Sequence, residues 1–403
     1  LGGRREARLG HRFFFFKFKM LLMVSTKMRM AWVLECLAFA AVTASCAAQT
    51  TPTPQRALLA LSKTDHTLAI VDPASLNVIA RLPVGSDPHE VIASADGTKA
   101  YVTIYGGGSL HELDILDLVA QKALPAFDTK PLMGPHGVDY SGGKVWFTAE
   151  GSKAVARYDP ATGQTDWLMG TGQDRTHMIY VTPDQKRVYT TNVSSGTVSI
   201  LVDTMIQPRM GPPPGAPGGA GEPGAGATPG GAGAAPGGMP AGGPPPGQGP
   251  RPHEEWVQTL IPVSRGSEGF DVSPDGRELW TAASEDGTIA VIDLGAKKLA
   301  ATLDAGVRGA NRLKFTPDGR QVFISSLGSG DLVIYDAKTR TAVRKVKIGH
   351  GAAGILMDPV GGRAFVACSA DNYIAIVDLK TLEVTGKLEV GGVPDGLAWA
   401  ERR

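Results

Sequence analysis

The chain has 403 residues, with 40 Lys and Arg against 39 Asp and Glu, a formal net charge of +1. That balance argues against a dedicated nucleic-acid binder, which carries a strong basic excess. Three cysteines, Cys36, Cys46 and Cys368, exclude a disulfide framework and a four-ligand zinc site, so packing and strand pairing must hold the fold.

Taken in chain order, residues 1–27 read as an upstream extension, with Met20, Met28 or Met30 as truer starts. Residues 28–48 have the build of a signal peptide: Lys27 and Arg29, an apolar run from Ala31 to Val42, then small residues. Cleavage after Ala48 is favoured over lipidation at Cys46, because Thr43-Ala44-Ser45 lacks a Leu-like residue three before the Cys. The expected location is periplasmic or secreted, with residues 49–56 as a linker and no transmembrane span in the mature chain.

From residue 57 to 400 the sequence repeats. An alternating apolar strand closed by aspartate recurs seven times, at Asp72, Asp117, Asp159, Asp203, Asp293, Asp336 and Asp378. The intervals are 45, 42, 44, 90, 43 and 42 residues, the 90 holding one interruption. Each unit has an earlier strand such as Tyr101-Val-Thr103, Trp146-Phe-Thr148 or Trp280-Thr-Ala282. Turns such as Pro274-Asp275-Gly276 and Pro317-Asp318-Gly319 precede that strand, and their glycines supply the positive φ of tight hairpins. Four short strands per unit of about 42 residues, seven times over, predict an all-β, seven-bladed β-propeller. Ala57–Leu61 and Gly396–Ala400 each lie part-way through a unit. The C-terminal strand is therefore expected to join the N-terminal blade and close the ring.

These Tyr-Val-Thr strands, Pro-Asp-Gly turns and Ile-Asp strand ends resemble the YVTN-repeat (YncE-like) β-propeller family, over nearly all of residues 57–400. The resemblance implies a propeller and leaves function open, since the family holds binding proteins, surface proteins and lactonase-like enzymes.

Residues 204–255 interrupt the fourth unit. Residues 211–250 contain 16 Gly and 12 Pro with one charge, Glu222, so no core can form and disorder is predicted. The insert falls in the hairpin between a third and a fourth strand, on the face opposite the start of the innermost strands.

Counting six residues back from the turn proline gives one channel-facing residue per blade: His89, His136, His177, Glu268, Asn311, Ala353 and Asp395. Six are polar, and three of the eight histidines fall here. Ring geometry would gather them about one axis, with Glu90, Arg175, Arg308, Arg312 and His350 close by. Two chemistries are open. His89, His136, His177 and Glu268 could hold a divalent metal that acidifies water or polarises a carbonyl. Alternatively His89, His136, His177, Glu268, Asn311, Arg312, His350 and Asp395 could bind a small polar molecule.

One blade also resembles streptogramin (virginiamycin B) lyase repeats, through Gly134-Pro-His136-Gly-Val, Val145-Trp-Phe-Thr148, Glu150 and Arg157-Tyr-Asp-Pro-Ala-Thr-Gly163. That resemblance implies His136 and Glu150 as catalytic residues of a metal-assisted elimination. Trp-Phe-Thr-Ala-Glu carries one extra residue, which should turn Glu150 away from His136.

The sequence therefore predicts an exported, monomeric propeller that holds a small polar ligand, a metal or an envelope protein at its central mouth. A metal-assisted lyase or lactonase at the same mouth and an envelope interaction module are the alternatives. Nucleic acid is not expected as a partner.

Overall fold

The computed structural model describes residues 51–207 and 252–402. The extension 1–27, the signal-like segment 28–48 with Cys46, and residues 208–251 of the insert lie outside the described residues. Within them the chain is all-β: seven antiparallel four-stranded sheets form a seven-bladed propeller. Three one-turn 3-10 segments, Gly106–Gly108, Glu150–Ser152 and Ser369–Asp371, are the helical elements among the described residues. No described helix is long and apolar enough to cross a membrane.

Blade 1 is built as expected from both ends of the chain. Pro394–Glu401 is its innermost strand, paired to Arg56–Ser62, with Leu58 opposite Trp399 and Leu59 opposite Ala398. Arg56 reinforces the seam by stacking over Trp399, 3.8 Å from the ring centroid, while reaching Asp358 at 2.8 Å. The innermost strands of blades 2–7 are Pro88–Ala93, Pro135–Ser141, Thr176–Val181, Ser267–Val272, Ala310–Phe315 and Ala352–Asp358. Their second strands are Lys99–Ile104, Lys144–Ala149, Arg187–Asn192, Glu278–Ala283, Gln321–Ser326 and Arg363–Cys368. Each second strand is buried on both faces, so it reads as a continuous apolar run; Trp146, Phe147, Trp280, Phe323 and Phe365 are fully buried there. Cys368 is likewise a buried free thiol.

The repeated aspartates have a mechanical role. Asp117 Oδ1 accepts from the Val119 and Ala120 amides, and Asp378 Oδ1 from those of Lys380 and Thr381, at 2.7–2.9 Å. Each folds the turn that follows a third strand, as Asx residues do. Asp203 is the exception: its third strand runs on to Ile206 and pairs with His253–Pro262, placing Asp203 opposite Trp256 and Ile206 opposite His253. The flanks of the insert, 204–206 and 253–255, are thus strand. Blade 2 departs at its outer edge, where Pro125 lacks the amide a strand needs and splits it into Lys122–Ala123 and Phe127–Asp128.

One irregularity recurs in every blade. Pairing between innermost and second strand breaks after the first residue and resumes three residues later, as between Pro88 and Val91 or Thr176 and Ile179. The same shift occurs at 135–138, 267–270, 310–313, 352–355 and 394–397. A bulge at the head of each innermost strand is what aims side chains into the channel.

Candidate functional site

The bulge leaves an amide unpaired, and the hydroxyl of the Tyr-Val-Thr motif takes it up. Thr103 Oγ1 accepts from the Glu90 amide at 3.1 Å and donates to the His136 carbonyl, one blade on, at 2.6 Å. Thr148 Oγ1 accepts from Gly137 at 2.8 Å and donates to the His177 carbonyl at 2.5 Å. Thr191 and Ser325 donate likewise to the Glu268 and Ala353 carbonyls, each at 2.6 Å. A hydroxyl on one blade therefore fixes the backbone of the channel-facing residue on the next. The strands lie so close that a Cβ on Gly137 would sit 2.4 Å from the His177 carbonyl oxygen, and one on Gly396 2.5 Å from that of His89.

These latches converge the first bulge residues on a mouth of about 290 Å³. His89, His136, His177, Glu268, Asn311, Ala353 and Asp395 all line it, so the ring read from the spacing forms one surface. Arg312 and Arg175 line it too. Sequence reasoning missed a second ring: the residue directly after each second strand, which brings in Lys63, Tyr105, Leu327 and Ser369. The same position in blade 3 is Glu150. Its signal was the residue following each Tyr-Val-Thr-like strand.

Three cations line the mouth, each backed by carboxylates. Arg312 pairs with Glu90 across the channel, from blade 6 to blade 2, and both are nearly buried. Burial opposes its charge, but Glu90, Asp395 and Glu268 outweigh that and hold the guanidinium firmly protonated. Lys63 Nζ lies 2.9 Å from Asp87 Oδ1, 3.6 Å from Asp395 Oδ2 and 2.9–3.0 Å from the ring nitrogens of His89. The hydrogen bond from His89, helped by Lys63, holds the Asp87 carboxyl well below the usual range. Arg175 Nε donates to Glu150 at 3.0 Å, and its Nη2 lies 3.9 Å from Glu268.

The imidazoles are of a different character. His136 and His177 are 2 % exposed and meet Nδ1 to Nδ1 at 3.1 Å. Burial drives both well below the ordinary histidine range, helped at His136 by His177, His89, Arg312 and Lys63, and at His177 by Arg312, Arg175 and His89. Both are neutral at physiological pH, so the 4.0 Å approach of His177 Nε2 to Glu268 Oε2 is not an ion pair. Tyr105 packs edge-on to His89 and His136, and burial together with the Glu150 carboxylate pushes its phenol up.

Several expectations are corrected. His350 is not at the mouth: its side chain is 72 % exposed and pairs with Asp371 at 3.0 Å, because the tight turn before blade 7 points it outward. Arg308 lines a separate groove with Tyr335 and Arg344. Glu150, which the lyase resemblance implies as His136's catalytic partner and which the extra residue is expected to turn away, pairs instead with Arg175 at 3.0 Å, held there by the one-turn segment after the second strand. The four metal-ligand candidates do not form a metal centre, and among the described residues no group of three or more His, Cys, Asp or Glu is set to hold a metal ion. His89 is occupied by Lys63, and the His136–His177 pair spends two nitrogens on each other beside Arg312.

A family model, the cytochrome D1 heme domain, matches residues 251–362, just over a quarter of the chain. That span carries Glu268, Asn311, Arg312 and Ala353, but none of the three mouth histidines. No curated protein matches the chain. A candidate 6-phosphogluconolactonase from Bacteroides uniformis superimposes with TM-score 0.62 at 15% identity, covering 86% of this chain and 100% of that one. Hydrazine synthase from Kuenenia stuttgartiensis gives 0.56 at 14% identity, covering 77% and 89%. The dihydro-heme d1 dehydrogenase NirN gives 0.55 at 15% identity, covering 85% of this chain and 65% of its own. The chain shares their fold. At these identities the likeness extends no further, and it supports a β-propeller without singling out the YVTN-repeat group.

Proposed function

We propose that this protein is a ligand-binding propeller whose central mouth holds a small polar anion. The observation that carries this reading is the charge arrangement. Lys63, Arg175 and Arg312, from three separate parts of the ring, face one concave space of about 290 Å³ that Glu268 and Asp395 also line, while Asp87, Glu90 and Glu150, outside that lining, pair with the three cations. Cations already oriented by such partners, in a partly dry cleft, favour a carboxylate or phosphate more than mobile surface lysines do. The volume sits at the lower end of small-molecule sites, about 300–1,000 Å³.

The matched haem-domain family and NirN raise a haem-type ligand. A whole tetrapyrrole does not fit here. The mouth is small, the Arg312–Glu90 pair spans the channel from blade 6 to blade 2, and the imidazoles that could reach an iron stand beside Lys63 and Arg312. The 6-phosphogluconolactonase likeness agrees better in ligand class, since a sugar phosphate lactone is a small anion. A catalytic role is the second reading, favoured by the neutral His136 and His177, and turnover of lactones by the purified protein would establish it.

Export through residues 28–48 belongs to the proposal, and N-terminal sequencing of the mature protein tests it. The ligand reading is tested by calorimetry with succinate, malate, inorganic phosphate, glucose and putrescine. Binding of anions, weakened at least tenfold by Lys63→Ala, is the expected result. Binding of putrescine or glucose but no anion would overturn it.

A further inference from the structure

The two buried imidazoles do not have independent protons. With both neutral, the 3.1 Å contact between His136 Nδ1 and His177 Nδ1 needs one N–H and one lone pair, so fixing the tautomer of one ring fixes the other. Two assignments are possible. In the first, His177 carries its proton on Nε2, facing the Glu268 carboxylate 4.0 Å away, and its bare Nδ1 accepts from His136. In the second, His177 turns a lone pair toward that carboxylate. Glu268 is anchored where it stands by Asn311, whose Nδ2 donates to Oε2 at 2.7 Å, so the carboxylate cannot swing away. A lone pair facing a fixed negative oxygen is repelled, and an N–H facing it is attracted, so Glu268 favours the first assignment against the opposing pull of Arg312 and Arg175 on the same ring.

The first assignment has a consequence at the far end. His136 must then hold its proton on Nδ1, leaving Nε2 as a bare acceptor. No described residue bonds that nitrogen, and His136 lines the mouth, packed against both His89 and Tyr105 with ring centroids 4.5 and 4.9 Å away. Lys63, which lies against His89, lines the same mouth as this acceptor, together with Arg175 and Arg312.

We propose that Glu268, His177 and His136 form a relay that fixes His136 Nε2 as a hydrogen-bond acceptor, selecting an anion with a hydroxyl beside its charged group: a hydroxycarboxylate or the phosphate ester of a polyol. The anionic end meets Lys63 and Arg175, and the hydroxyl donates to His136 Nε2. Glu268 and His177 are positioning residues; neither touches the hydroxyl. This rests on the anion reading above and refines it.

Two measurements on the whole protein test the proposal. Imidazole ¹⁵N–¹H correlation spectra read each tautomer directly. The expected result is His136 protonated on Nδ1 and His177 on Nε2, with His136 moving toward its Nε2–H form in Glu268→Gln. A wild-type spectrum with the proton of His136 on Nε2 overturns the relay. Affinities for malate and succinate, which differ by one hydroxyl, test the ligand class. The wild type should prefer malate about tenfold, the worth of one good hydrogen bond, and His136→Gln should bring the ratio near one. Equal wild-type affinities overturn the hydroxyl selection. Binding of neither anion overturns the anion reading and the ligand class together, while the spectrum still decides the relay by itself.

Discussion

The second strands and the heads of the innermost strands of this propeller lie one hydrogen bond apart and obey opposite rules. Second strands are near-copies: at one and the same position Tyr101, Trp146, Tyr189, Trp280, Phe323 and Phe365 each fill the gap between blades and are buried. Bulge heads share a backbone but not a side chain, running from His136 through Glu268 to Ala353. Packing between blades demands volume, so those positions converge on bulky apolar residues. The channel demands none, because the bulge turns its residues away from the blade core; there the sequence is free to carry chemistry. The hydroxyl of Thr148 and its counterparts joins the two regimes, being part of the repeated strand yet bonded to the carbonyl of the variable residue next door.

Breaking the packing side should have the largest effect. Trp280→Ala empties a fully buried site and should cost about 3–5 kcal/mol, read as a fall in the urea midpoint. Cutting the latch comes next. Thr148→Val removes a hydroxyl that serves Gly137 and His177 at once, and should cost about 1–3 kcal/mol. It should also weaken ligand binding, which a comparable loss from the outer rim of a blade would not.

The third test sharpens the channel side through pH. Because His136 and His177 are held neutral well below their ordinary range, the unfolded chain takes up protons below pH about 6.5 that the folded one refuses. Their contribution is full above that pH and shrinks as pH falls. Asp139, raised to about 6 by burial, works in the opposite direction over the same interval. The comparison is therefore wild type against His177→Gln, where the Asp139 contribution cancels. The variant should lose stability less steeply below pH 6.5, by about 1.4 kcal/mol per pH unit. The smallest effect belongs to the exposed His350: His350→Ala should change stability by no more than about 0.5 kcal/mol and leave affinity unaltered.

The architecture was legible because its determinants are local and repeated seven times. The aspartate that folds each third turn, the Asp-Gly hairpin and the apolar second strand each act within one blade. Even the closure through Pro394–Glu401 followed from the phase of the repeat. The first ring of the site was legible for the same reason. What escaped depends on direction. A count of residues places His350 near the axis but does not say that its turn faces outward, and it equates Glu150 with a lyase glutamate without seeing Arg175 beside it. Lys63 and Tyr105 escaped because they follow a strand that looks wholly structural. The metal reading failed at the level of pairs: three histidines at ring positions suggest ligation until the Nδ1–Nδ1 contact and the neighbouring cations are seen.

The central claim is that bulge residues from distant parts of the chain act as one site, and a backbone ¹H–¹⁵N titration with malate tests it most directly. The amides of Glu90, Gly137, Met178, Gly269, Arg312 and Gly396 should shift together along curves sharing one dissociation constant, while second-strand amides such as Trp280 stay still. Shifts confined to one blade, or centred on the groove at Arg308 and Arg344, would contradict the account.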